Sequence, residues 1–304
     1  MKFGEFVKRI QGEVERLCGN GYELEIEDIL KNNGVTRKGM TIRKKGETSG
    51  PIIYLDSYYE RWESGELSIS SVAEDIYNTF VGSQVPVDCQ DALRNFDMIK
   101  DKVIYCLVSR ERNEALLNDV PWVPFCDLAV VFYALLGEGR EGCVSSLIHN
   151  GHVRLWGTGV EELRKLAAEN TPRLRPYVIR PLWEVIKEIS GIPVLDKREC
   201  DLEKDMMYVL TNKNGIHGAS VVLYDNVLEK ISERLGTDLV ILPSSVHETM
   251  IIPYEESLRL KDLGEMVRVI NQTEVQEEEL LSDNVYHYSR ETGMLTVAFE
   301  TMAA

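Results

Sequence analysis

Long apolar runs, paired cysteines and the common catalytic signatures are all missing from this sequence. No hydrophobic stretch approaches the roughly 20 residues that a membrane-crossing helix needs. The opening Met1 to Phe6 lacks the charged-then-apolar order of a secretory leader. No membrane association and a cytoplasmic location are therefore expected. Six cysteines (Cys18, Cys89, Cys106, Cys126, Cys143 and Cys200) stand far apart with no CxxC pair. That spacing argues against a disulfide framework or a zinc ribbon and for reduced, mostly buried thiols. Prolines number only ten against 44% hydrophobic residues, which excludes disorder as the main state. With 304 residues the chain can bury a substantial core as one large domain or two ordinary ones.

The sequence contains no Walker loop, no GxGxxG, no GxSxG elbow and no HExxH. Gly137 to Gly142 is rich in glycine, but no lysine follows to hold a phosphate and its glutamates would repel one. No cofactor is expected. Basic side chains are also in short supply, 34 against 50 acidic ones, for a net charge of −16. The excess is uneven: residues 51–150 carry −9 and residues 201–304 carry −11, whereas 1–50 and 151–200 each carry +2. So acidic a chain repels phosphate backbones, and direct nucleic-acid binding is not expected. Solubility is the plain reading of the charge. A sharper one is an acidic surface that imitates nucleic acid and occupies a basic groove.

Periodicity gives the organisation. Phe3, Phe6, Val7, Ile10, Val14 and Leu17 recur at helical spacing and Gly19 follows as a stop, so an amphipathic helix opens the chain. From Tyr22 to Tyr54 short apolar alternations separated by Asn32-Asn33-Gly34 and Gly46 to Gly50 read as strands. Ser71-x-x-Glu74 and Thr158-x-x-Glu161 fit capping boxes, the second opening a helix that should end before Pro172. Val103 to Val108 and Asp127 to Leu136 are β-rich runs. Asn150-Gly151 and Asn214-Gly215 each sit between apolar runs and predict two-residue hairpin turns. Asp225 is placed to cap a helix that Gly236 ends. Leu235 to Pro253 predicts a strand, turn, strand unit at the centre of a C-terminal sheet, and Glu291 to Gly293 a final hairpin. The expected fold is α+β, with largely antiparallel sheets packed against amphipathic helices in two modules, 1–171 and 172–304, joined at the proline-broken TPRLRPYVIRP.

Two constellations carry possible chemistry. Ser244, Ser245, His247 and Glu248 contain the residue types of a hydrolase. In extended chain Ser245 and His247 lie on one face about 6.5 Å apart, too far for a direct hydrogen bond. Glu248 falls on the opposite face, so the serines are expected to bond their own backbone after Pro243. His149 and His152, as neighbours across a hairpin at Asn150-Gly151, could share a metal ion, but two ligands make a weak site and a titrating surface pair is the plainer reading. Trp62, Trp122, Trp156 and Trp183 are expected to be core or half-buried anchors.

Three stretches together carry a resemblance. They are NNGV (Asn32 to Val35) with PIIYLDSYYERWESGE (Pro51 to Glu66), MYVLTN (Met207 to Asn212) with GAS (Gly218 to Ser220), and LGTDLVILPSSVHETMIIP (Leu235 to Pro253). These resemble an uncharacterised bacterial domain-of-unknown-function family of about this length. More distantly, the order of elements from Asp127 through GVEELRKLAAEN is similar to YtpQ-like proteins. Neither resemblance implies a catalytic residue. The functional expectation is a cytosolic, non-enzymatic interaction or regulatory module whose partner is another protein. An acidic nucleic-acid-mimicking inhibitor and a hydrolase centred on Ser245 and His247 are the alternatives, and the oligomeric state stays open.

Overall fold

The computed structural model describes residues 1–47, 50–82, 92–139, 142–190 and 207–299. The chain forms two compact units. One comprises Met1–Ile99 with Leu135–Ser146, the other Lys100–Ala134 with Leu147–Ala304. The boundary expected between residues 171 and 172 falls inside a helix, and the units divide elsewhere.

In the first unit α1 (Phe3–Cys18) begins where Glu5 accepts the Lys2 N–H at 3.2 Å and ends at Gly19 (φ 73°). Strands β1 (Tyr22–Leu30) and β2 (Thr36–Lys44) pair antiparallel from Tyr22 opposite Lys44 to Leu30 opposite Thr36. Asn33 (φ 60°) and Gly34 (φ 73°) turn the chain between them through left-handed space that asparagine and glycine tolerate best. Strand β3 (Ile52–Tyr54) adds to β2, and helices α2 (Asp56–Glu63) and α3 (Ile69–Gly82) follow. The apolar stripe of α1 (Phe6, Val7, Ile10, Val14) meets Met40 and Ile42 of β2 and Val72, Ile76 and Phe80 of α3 in one core. The α3 start differs from the Ser71 capping box: Ser68, one turn earlier, accepts the Ser71 N–H at 3.1 Å.

In the second unit β4 (Val103–Ser109) is buried along its whole length and pairs antiparallel with β6 (Leu128–Gly139), which also pairs with β5 (Trp122–Phe125). Strand β7 (Gly142–Leu147) pairs with β6 as well, and of these two strands the residues from Leu135 to Ser146 belong to the first unit; residues 140 and 141 of the glycine-rich stretch lie outside the described residues. The hairpin expected at Asn150-Gly151 is instead helix α4 (Asn150–Trp156), whose C-terminal Gly157 is left-handed. Gly151 reads equally well as an early helical residue. The decisive signal is the terminating glycine six residues later. Helix α5 (Val160–Leu174) comes next, and Pro172 lies inside it. Its N-cap is Gly159, without the Thr158 to Glu161 box. It persists past Pro172 because Thr171 fastens the last turn: its hydroxyl donates to Ala167 O at 2.6 Å and accepts the Tyr105 N–H of β4 at 3.1 Å.

The chain continues through β8 (Tyr177–Pro181), α6 (Leu182–Ser190), β9 (Tyr208–Asn212), a 3-10 segment (Gly218–Leu223), α7 (Val227–Leu235), β10 (Leu239–Leu242), β11 (Thr249–Pro253), α8 (Leu260–Thr273), β12 (Val285–Ser289) and β13 (Met294–Phe299). Gly215 does turn the chain (φ 67°), but it leads into the 3-10 segment and not into a second strand. The N-cap of α7 is Asn226, one residue past the expected Asp225. The sheet order is β13-β12-β10-β11-β9-β8, and every adjacent pair is antiparallel. Strands β10 and β11 sit at its centre as expected, and α8 covers Val240, Leu242, Ile252 and Val285 through Val267. The α+β architecture with antiparallel sheets holds throughout.

Candidate functional site

The Pro243–Glu248 loop lies between two buried strands, so its polar groups must find partners nearby. Ser244 O accepts the Leu281 N–H at 2.9 Å, and Ser245 forms an isolated β-bridge with Leu280. The Ser245 hydroxyl, on a residue only 7% exposed, accepts the His247 N–H at 3.0 Å, the serine turn anticipated from the sequence. Both nitrogens of the His247 ring are occupied elsewhere. Nδ1 accepts the His217 backbone N–H at 3.3 Å and Nε2 lies 3.5 Å from Glu279 Oε1. His247 O in turn accepts the Thr211 hydroxyl at 2.7 Å. Burial holds the Glu248 carboxyl above its ordinary value of 4.5, with Glu279 adding to the rise and His247 opposing it. Ser245, His247 and Glu248 are thus brought together, without the serine to imidazole hydrogen bond that a nucleophile needs.

Sequence reasoning missed the residues that complete this cluster. His217 takes a left-handed conformation (φ 53°), with its ring centroid 5.8 Å from that of His247 and 5.5 Å from that of Tyr133 on β6. Gly218 behind it admits no side chain. A β-carbon there would run into Thr211 Oγ1 and His247 O and come within 2.8 Å of Asn212 N. His217, Glu279 and Tyr133 are far apart in the chain, and no local pattern announces their convergence. The MYVLTN and GAS stretches of the resemblance did enclose Thr211 and Gly218.

His149 and His152 are also adjacent, through a different geometry from the expected hairpin. His149 precedes α4 and His152 lies in its first turn; the His149 N–H donates to His152 Nδ1 at 3.0 Å. His149 Nδ1 lies 2.7 Å from Asp119 Oδ2, and the His152 ring stacks on Trp156 at 5.4 Å between centroids. Burial, then the charge of His149, lower the His152 pKa against the opposing pull of Asp119. Among the described residues no group of three or more His, Cys, Asp or Glu side chains could hold a metal ion.

A third polar cluster fastens the β5–β6 turn, where Cys126 is left-handed (φ 52°). Asp127 accepts hydrogen bonds from Ser282 at 2.8 Å, Asn284 at 3.1 Å and the Tyr286 hydroxyl. Burial raises the Tyr286 pKa and the Asp127 carboxylate raises it further, so the phenol stays a donor. Cys18, Cys106 and Cys126 are free thiols; burial pushes Cys106 up to about 12, which makes it a poor nucleophile. Cys89 and Cys200 lie outside the described residues. No helix of the described residues is long and apolar enough to cross a membrane.

Residues 3–290 match the model of a family of unknown function, DUF5688. The chain belongs to that family, in agreement with the resemblance carried by its NNGV, MYVLTN and LGTDLVILPSSVHE stretches. No curated protein and no solved structure matches it, so the YtpQ-like resemblance gains no support.

Proposed function

We propose that this protein is a non-enzymatic interaction module that docks another protein along α8. One observation carries the reading. Met266, Val269 and Ile270 are 38%, 56% and 39% exposed at helical i, i+3, i+4 spacing, while Val267 of the same helix is buried against the sheet. The helix therefore has a second apolar stripe that the described fold does not cover. Acidic residues neighbour it along the chain: Asp262 and Glu265 on the helix and Glu274 just beyond its end. A partner that presents an apolar patch rimmed by lysine and arginine would complement both features. The arrangement around His247 supports binding over turnover, because Ser245 and His247 are spent on holding the loop.

Photo-crosslinking amino acids placed at 266 and 269 test this in cells that make the protein. The expected outcome is a discrete adduct at these positions, lost in Ile270→Asp and weakened by raised salt, with none from position 261. Equal adducts from 261, or adducts indifferent to Ile270→Asp, would refute the docking face. Labelling of Ser245 by a fluorophosphonate, abolished in His247→Ala, would restore the hydrolase.

A further inference from the structure

The edge of a β-sheet presents backbone N–H and C=O groups with which a further strand can pair, and folded proteins shorten, bend or block such edges. Strand β1 (Tyr22–Leu30) stands at the edge of the first unit's sheet, whose order is β1-β2-β3. Hydrogen bonds just beyond its two ends show which backbone groups face β2: the Lys31 N–H donates to Val35 O at 2.7 Å and the Lys45 N–H to Gly21 O at 3.0 Å. Bonded and non-bonded positions alternate along an antiparallel ladder, so the odd-numbered residues of β1 bond β2. Leu24, Ile26 and Asp28 therefore turn their N–H and C=O groups outward, where no hydrogen bond reaches them among the described residues.

The common guards of an edge are missing here. Strand β1 runs nine residues in unbroken register with β2 and contains no proline, lysine or arginine. Other edge strands are protected: β3 has only three residues, β5 contains Pro124 and β8 ends in Pro181. What β1 carries instead is acid. Glu23, Glu25 and Glu27 are exposed on one face, while Leu24 and Ile26 on the other pack against the core shared with α1. Arg43 serves the first two glutamates, and Glu27 has no cation partner among the described residues. A second copy of this chain paired along β1 would set glutamate against glutamate, which like charges disfavour. A strand with lysine or arginine at every second position and β-branched residues between would meet the glutamates on one face. On its other face it would extend the apolar surface of Leu24 and Ile26.

We infer that β1 is a strand-addition edge that takes an extended basic segment of another protein. This edge belongs to the first unit and shares no residue with α8, so it stands whether or not a partner docks on that helix.

The test uses the full chain and a fluorescent peptide of nine residues, the length of β1, in which lysine and valine alternate. Its anisotropy should rise saturably with protein, less so at raised salt. Amide exchange at Leu24, Ile26 and Asp28 should slow by about tenfold or more at saturation, because these N–H groups then enter a ladder. A peptide of alternating lysine and proline has the same charge but forms no regular ladder, and should bind about tenfold or more weakly. Asp28→Pro deletes one outward donor while sparing the bonds to β2, and should weaken binding more than Asp28→Asn, which removes the same charge. Ile270→Asp on α8 should leave binding unchanged. Equal binding of the lysine–proline peptide, or exchange at the three amides unmoved at saturation, would overturn the edge. So would the lack of saturable binding, or binding lost in Ile270→Asp. Protection of the same amides that grows with protein concentration in the absence of peptide would give the edge to a second copy and overturn the basic partner. Should Asp28→Pro fail to fold, the exchange measured on the wild type decides.

Discussion

At the scale of single residues, two glycines that look alike in the sequence have opposite tolerances. Gly218 is walled in by Thr211, Asn212 and His247, so Gly218→Ala should cost about 1–3 kcal/mol in denaturant unfolding through overpacking. Gly151 lies in α4 with nothing closer to an added β-carbon than Arg154 Nη2 at 3.9 Å. Gly151→Ala should be neutral or stabilising by up to about 1 kcal/mol, as in other helical sites. A destabilisation there would revive the hairpin. His152 supplies a pH signature. Its pKa is lowered below 6.5 in the folded chain, so the folded state binds fewer protons than the unfolded one as the pH falls through that range. Its contribution to stability is present above pH 6.5 and lost below it. Unfolding monitored from pH 7.5 to 5 should therefore show a shallower decline in His152→Gln than in the wild type.

At the scale of elements, the clearest hold is Thr171, which ties α5 to β4 and carries the helix past Pro172. Thr171→Val keeps the volume but strips the Tyr105 N–H of its acceptor, and should cost about 1–3 kcal/mol. Ile241 on central β10 is 1% exposed, and Ile241→Ala should cost about 2–5 kcal/mol. The strands and amphipathic helices were legible in the sequence because burial imposes a period on them. The stripe of α1, the buried run of β4, the β10–β11 pair and the β12–β13 hairpin all arise from it. Local chemistry misled where two elements share a signature. An Asn-Gly pair suits a hairpin turn, yet in α4 it opens a helix, and after β9 it leads into a 3-10 segment. The candidate site was legible only in its local part, the PSSVHE loop. His217, Tyr133 and Glu279 acquire their meaning from contacts made by folding, and residues distant along the chain leave no periodic trace.

At the scale of the molecule, the charge of −16 works against compaction, and local pairing relieves only some of it. On β1 the glutamates at 23 and 25 share Arg43, the second at 2.9 Å, and Asp28 meets Lys38 at 2.6 Å. Residues 201–304 have 19 acidic side chains and eight basic ones, so no such pairing can balance them. Screening should therefore stabilise the chain. The melting temperature should rise between about 10 mM and 0.3 M sodium chloride, where the Debye length falls from roughly 30 Å to well under 10 Å. A fall would mean that attractive ion pairs outweigh the net repulsion.

The first unit is built from two separated pieces of chain, Met1–Ile99 and Leu135–Ser146, with the start of the second unit running between them. During synthesis its first piece leaves the ribosome well before its last. At roughly 5–20 residues per second, the interval from residue 99 to residue 146 is on the order of 2–10 s. For that time α1, the β1–β3 sheet and α3 stand without the segment that completes their unit, an opening for chaperones or proteases. Nascent chains stalled near residue 120 should be cleaved faster within their first 99 residues than chains stalled near residue 190, when pulsed with the same protease.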